Sequence, residues 1–99
     1  MILTGKTLRD FKKWFFENYK NDWNYYQTRP ILLNTLIIEW LDSVNIYIWI
    51  IPSKRVETKF TFSVFKNLFS HESAIFNYDN RSIATKEAII KANEIYNSL

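Results

Sequence analysis

Apolar residues in the segment TLRDFKKWFFENYK recur at spacings of three and four, so that Leu8, Phe11, Phe15 and Tyr19 share one stripe. That period predicts an amphipathic helix over residues 7–20. Thr7 or Thr4 is placed to cap it, and Thr7 with Asp10 resembles a capping box. Arg9, Lys13 and Lys20 fall on the opposite, solvent side, with Trp14 and Phe16 flanking the stripe. The next segment, NDWNYYQTRP, reads as a loop over residues 21–30. Thr28 can then cap a second helix over residues 30–41, with Pro30 in its first turn. Ile31, Leu32, Leu36, Ile37, Trp40 and Leu41 surround most of that helix and predict that it is the more buried of the two. Its β-branched residues keep an extended alternative open.

From residue 45 the period changes from 3.6 to two. Residues 45–51 predict a first strand, PSKR (52–55) a turn, and residues 56–65 a second strand. KNLFSHES (66–73) reads as a loop or a ragged strand extension, and SAIFNY (73–78) as a short third strand. Ser82 is placed to cap a last helix over residues 83–97, where Ala84, Ala88, Ala92 and Ile95 form a small-residue stripe widened by Ile90 and Tyr96. Glu87 and Lys91 stand four apart, in the orientation that favours an ion pair. The order α-α-β-β-β-α makes this an α+β domain. It has two layers, a three-stranded antiparallel meander packed on helices, in a single domain over residues 1–99.

One parity stays open. In the second strand Val56, Thr58, Phe60, Phe62 and Val64 alternate with Glu57, Lys59, Thr61 and Ser63, but the first strand is apolar on both faces. A four-residue loop sets Ile51 opposite Val56 and Trp49 opposite Thr58, which turns Tyr47 and Trp49 toward the core. An odd loop or a bulge turns Ile46, Ile48 and Ile50 inward instead, with Tyr47 and Trp49 beside Glu57 and Lys59. Either way, about three apolar side chains share a face with polar neighbours. A helix, the loop 21–30 or a second copy would cover them, or the face is a seat for a partner.

Composition narrows the field. The chain has 99 residues, 47% hydrophobic and 18% aromatic, which supports one real core and excludes a disordered tail. It has no cysteine, so neither a disulfide nor a zinc-thiolate site is expected, which suits the cytosol. No apolar run is long enough to predict a membrane span, and the N-terminal residues do not read as a signal peptide. A net charge of +3 argues against mimicry of nucleic acid, which needs strong acidity.

Candidate chemistry is sparse. His71, the one histidine, stands beside Glu72 and Ser73, but sequence neighbours do not make a triad, and one histidine without cysteine does not build a usual zinc set. Glu39 and Asp42 can share a helix end, where solvation and capping account for them. A single glycine excludes a glycine-rich phosphate loop. No catalytic residue, metal or cofactor is therefore expected. Two binding surfaces remain. Trp23, Tyr25, Tyr26 and Arg29 lie within seven residues, next to the basic Arg9, Lys13 and Lys20, and aromatic residues with arginine dominate protein-binding hot spots. Lys54, Arg55 and Lys59 with Trp49 offer a basic rim and a stacking ring for RNA or single-stranded DNA, although no named nucleic-acid module appears.

Three segments together carry a resemblance. LTGKTLRDFKKWFFEN (3–18), WLDSVNIYIWI (40–50) and RSIATKEAIIKANEIYN (81–97) are similar to a set of small phage and prophage proteins. Those proteins have an LTGK start, an F..W…N helix, an FDS segment before an apolar strand, and an alanine-rich helix ending in IYN. The resemblance extends to an anti-CRISPR of the type VI-B class. It implies a non-catalytic inhibitor that grips a host RNA-guided RNase, its guide RNA, or both. The alternatives are a small RNA- or single-stranded-DNA-binding module, and a homodimeric structural protein of a mobile element; monomer and homodimer both stay open.

Overall fold

The first helix, α1 (Gly5–Tyr19), buries Phe11 and Phe15 completely and leaves Arg9, Lys12 and Lys13 in solvent, as its stripe predicts. The computed structural model describes residues 2–19, 22–54, 56–67, 70–73 and 77–99. Lys20, Arg55 and most of the segment 74–78 lie outside the described residues. The start of α1 differs from expectation. Gly5 takes a left-handed φ of 57°, and Thr7 sits buried inside the first turn instead of capping it. The cap comes from the far end of the chain: the Asn97 side-chain oxygen accepts from the Thr7 backbone N–H at 2.8 Å and from its hydroxyl at 2.7 Å. Asn93 similarly accepts from the Thr4 backbone N–H at 3.0 Å. An LTGK segment and an IYN segment thus close on each other.

Within the segment expected to be a loop, a short helix, α2 (Trp23–Gln27), folds over α1. The Thr28 hydroxyl bonds back to the carbonyls of Asn24 and Tyr25, so it finishes α2 and does not cap the next helix. Helix α3 (Pro30–Ser43) begins with no side-chain cap and runs two residues past the expected end. Leu33, Leu36, Ile37, Trp40 and Leu41 are buried, which makes this the more buried of the two expected helices, while Ile31 and Leu32 in its first turn are exposed. Asn45, at a left-handed φ of 65°, ends the helix and turns the chain into the sheet.

Strands β1 (Ile46–Pro52), β2 (Phe60–Lys66) and β3 (Ser70–Ser73) form an antiparallel meander in the order β1-β2-β3. The hairpin pairs Ile48 with Val64, Ile50 with Phe62 and Pro52 with Phe60. Residues 53–59 therefore connect the strands, an odd number, and the isoleucines face the core. Val56 and Thr58 do not begin the second strand as their alternation predicts. Thr58 adopts a φ of 65°, and the Ser53 N–H closes the loop on the Lys59 carbonyl at 2.9 Å. The third strand is seen at Ser70–Ser73; of the expected segment 73–78, residues 74–76 lie outside the described residues, and Tyr78 makes an isolated bridge, exchanging backbone hydrogen bonds with Phe60.

The last helix, α4 (Arg81–Asn97), is capped by Asn80, whose side chain accepts from the Ile83 N–H at 2.8 Å; Ser82 lies inside the helix. Ala84, Ala88 and Ala92 are wholly buried, and α4 lies across β1 and β2 with Ile46, Phe62 and Val64 of the sheet buried in the same core. Lys91 pairs with Glu72 of β3 at 2.8 Å and with Glu94 at 3.3 Å, and not with Glu87. Helix α3 packs beside α4 and against β1. The shortest Cα extent is 18 Å, room for two layers about 10 Å apart and not for three. The result is the expected α+β architecture, with α2 added. Among the described residues no helix is long and apolar enough to cross a membrane.

Candidate interaction surfaces

The aromatic residues at 23–29 divide by direction. Trp23 places its ring 5.2 Å from Phe15 and 5.8 Å from Phe16, and Tyr26 lies 5.7 Å from Phe15, each nearly edge-on except the Phe16 pair. Both are half-buried covers for the α1 core, so most of their area is already spent within the fold. Tyr25 turns outward and is 51% exposed. The Arg29 guanidinium stacks 3.8 Å over the Tyr25 ring while donating to the Tyr25 carbonyl at 2.8 Å. Arg29 and Tyr25 therefore form one rigid outward knob. The basic side of α1 lies near it: Lys12 stands 5.2 Å over the Trp23 ring, Lys13 is exposed, and Arg9 is held by its neighbour Asp10 at 3.3 Å. Phe16, 47% exposed, adds an apolar edge to this surface.

The second surface is the outer face of the sheet. Parity places Tyr47, Trp49 and Ile51 of β1 beside Phe65, Ser63 and Thr61 of β2. The neighbours are thus hydroxyls and a phenyl ring, where the alternation along the sequence puts Glu57 and Lys59; those two stay in the hairpin loop. Trp49 is 59% exposed and lies 4.8 Å from the Phe65 ring, tilted by 54°. The Tyr47 hydroxyl donates to Asn45 at 3.1 Å, and Ser63 meets Ser73 at 2.9 Å. Helices α3 and α4 pack on the opposite face, and no described element of the chain covers this one. Phe65 was missed in the sequence because its place depends on the hairpin register. The polar run SKRVETK, too long for a tight turn, was the available signal.

The basic residues expected to rim Trp49 do not converge on it. Lys59 is bound to Asp79, Lys54 is exposed in the hairpin loop, and Arg55 lies outside the described residues. None of the described side chains on the outer face is charged. Electrostatics elsewhere follow local burial. The Asp42 carboxyl is raised by desolvation and then by Glu39, and the Tyr19 hydroxyl is raised by burial and by its 3.1 Å bond to Glu39. Among the described residues no group of three His, Cys, Asp or Glu side chains gathers to hold a metal ion. Comparison with family models, with curated proteins and with solved structures finds no match to this chain.

Proposed function

We propose that this chain is a non-catalytic inhibitor of phage type that binds a host defence complex, and that its target is an RNA-guided RNase of the type VI-B class. The observation that supports action by contact is the outer face of the sheet, which no described element of the chain covers and where Trp49, Tyr47 and Ile51 stand with the Phe65 ring beside hydroxyls. Contiguous exposed apolar area of this kind marks interaction sites, and rigid aromatic side chains supply contact area at little entropic cost. The absence of charge among the described side chains of that face favours a protein surface over a phosphate backbone. The Tyr25–Arg29 knob and the basic side of α1 form a second contact region with Arg9 and Lys13. The choice of target rests on the resemblance of the LTGK, FDS-like and IYN segments.

The test is target-RNA cleavage by a purified type VI-B effector with its guide, titrated with this chain. Inhibition that is complete near one equivalent, and relieved by Trp49→Ala, is the expected outcome. Full cleavage at a large excess of chain overturns the assignment of the target.

A second reading is favoured by one observation, the Trp49–Phe65 ring pair at 4.8 Å on an open sheet. Bases of a single strand stack on such a platform. That reading requires affinity for single-stranded RNA or DNA that falls steeply with added salt as counterions are released. Binding insensitive to salt removes it. A homodimer closed through the same face would instead sediment at twice the chain mass.

A further inference from the structure

A groove runs between α3 and α4 on the side away from the Trp49 face. We propose that it seats an amphipathic segment of a partner protein, with acidic side chains beside its apolar anchors. The proposal goes beyond the sheet-face contact and shares with it only the premise that the chain acts on a protein. Helices α3 and α4 lie side by side and point the same way. Ile31 of α3 lines the groove with Ser82 of α4, Ile37 with Ile90, and further along the Trp40 and Tyr96 rings meet at 4.9 Å. The groove has a volume of about 710 Å³, and a lobe of about 400 Å³ continues from it, sharing Ile31, Asn34 and Ser82. Leu33 and Ile37 form its buried floor, while Ile31 at its rim is 74% exposed and not satisfied within the chain.

Charge selects the occupant. Because the helices are parallel, both of their positive dipole ends lie at the mouth of the groove. The α3 end has no side-chain cap and carries Pro30 at its first position. Arg81 and Lys86 add two full cations to the wall, and among the described residues no Asp or Glu lines either lobe. The mouth is therefore positive over an aliphatic floor, which complements carboxylates flanking leucine- or isoleucine-like anchors. Two other occupants fit poorly. Among the described residues no aromatic side chain lines either lobe, so bases would find no described ring to stack on. A second copy meeting groove to groove would oppose like charges across a two-fold axis.

The experiment is selection of a displayed library of peptides of about 16 residues, roughly four helical turns, against the folded chain. The control chain carries Ile31→Asp and Lys86→Glu. Both positions are exposed, and an acid in the first turn of α3 favours the helix, so this variant folds; circular dichroism confirms that. The expected result is enrichment of peptides with apolar residues at helical spacing and an excess of Asp and Glu, bound about tenfold more weakly by the variant. Enrichment without acidic excess overturns the proposal, as do unchanged affinity for the variant and the recovery of no binding peptide. Trp49→Ala, tested in parallel, separates the two surfaces. Peptides lost on Trp49→Ala but not on the groove variant belong to the sheet face and leave the groove reading overturned.

Discussion

Tyr96 donates its hydroxyl to the Asp10 carboxylate at 2.6 Å and so ties the last helix to the first across most of the sequence. The bond moves both groups. The Tyr96 hydrogen bond holds Asp10 below the usual carboxylate value, and burial, then Asp10 itself, pushes Tyr96 up to about 12. The two groups act on stability at opposite ends of the pH scale. The Asp10 contribution is present above 3.8 and is lost as pH falls through its lowered folded value. The Tyr96 contribution is present below 10.0 and is lost as pH rises from there to about 12. Thermal midpoints measured across pH should therefore fall in strong acid and in the alkaline window. Tyr96→Phe should flatten the alkaline fall, and an unchanged alkaline slope would sink this account.

Asp42 has the opposite sign. It lies in the last turn of α3, raised by desolvation and by Glu39, so its charged form is disfavoured in the fold. That penalty is absent in acid, where the carboxyl is protonated, and grows as pH rises through its raised folded value. A negative charge at a helix C-terminus is unfavourable as well. Asp42→Asn should raise neutral-pH stability by about 0.3–1 kcal/mol in urea unfolding.

The closure of the chain ends offers a double-mutant cycle. Asn97→Ala strands the Thr7 N–H, while the Thr7 hydroxyl keeps its 3.1 Å bond to the Asn93 carbonyl, and should cost about 1–3 kcal/mol. Gly5→Ala forces a Cβ onto a left-handed residue, where it would stand 3.2 Å from the Asn97 oxygen, and should cost about 1–2 kcal/mol. Removing Asn97 opens the space beside Gly5, so the pair should cost less than the sum of the singles. Strict additivity would show that the contact does not matter.

Adjacent phenylalanines should behave differently. Phe15 is wholly buried among Phe11, Tyr19, Trp23 and Tyr26, so Phe15→Ala should cost about 3–5 kcal/mol. Phe16 is nearly half exposed, and Phe16→Ala should cost roughly 1 kcal/mol or less by the same denaturant measurement.

Trp49 is the one tryptophan among the exposed large hydrophobics. Acrylamide should quench its fluorescence first. Trp49→Phe should remove the most accessible fraction and leave the unfolding midpoint almost unmoved.

Much of the fold was legible because it is local. The Leu8–Phe11–Phe15–Tyr19 stripe, the alanines of α4 and the change from period 3.6 to period two each belong to one element, and each element forms where its pattern lies. Caps were less legible. Thr7, Thr28 and Ser82 all have the right chemistry, yet Asn97 serves at the first site from the far end of the chain, no side chain serves at the second, and Asn80 serves at the third. Capping depends on which acceptor the tertiary packing brings within about 3 Å, and spacing does not reveal it. The surfaces divided in the same way: Tyr25 and Arg29 faced outward as their composition implied, while Trp23 and Tyr26 were drawn in by the α1 rings.

By itself, then, the sequence determined the order of helices and strands, the identity of the core stripes and the meander, because those arise from periodicities within single segments. Which face of β1 meets water was decided only by the tertiary structure. Residues 53–59 form an odd loop, Ile48 pairs with Val64, and Trp49 is left outside with Phe65. The reason is the two-residue repeat of a strand: a slip of one position exchanges its faces, and on a strand apolar on both sides only the fit against α4 selects between them.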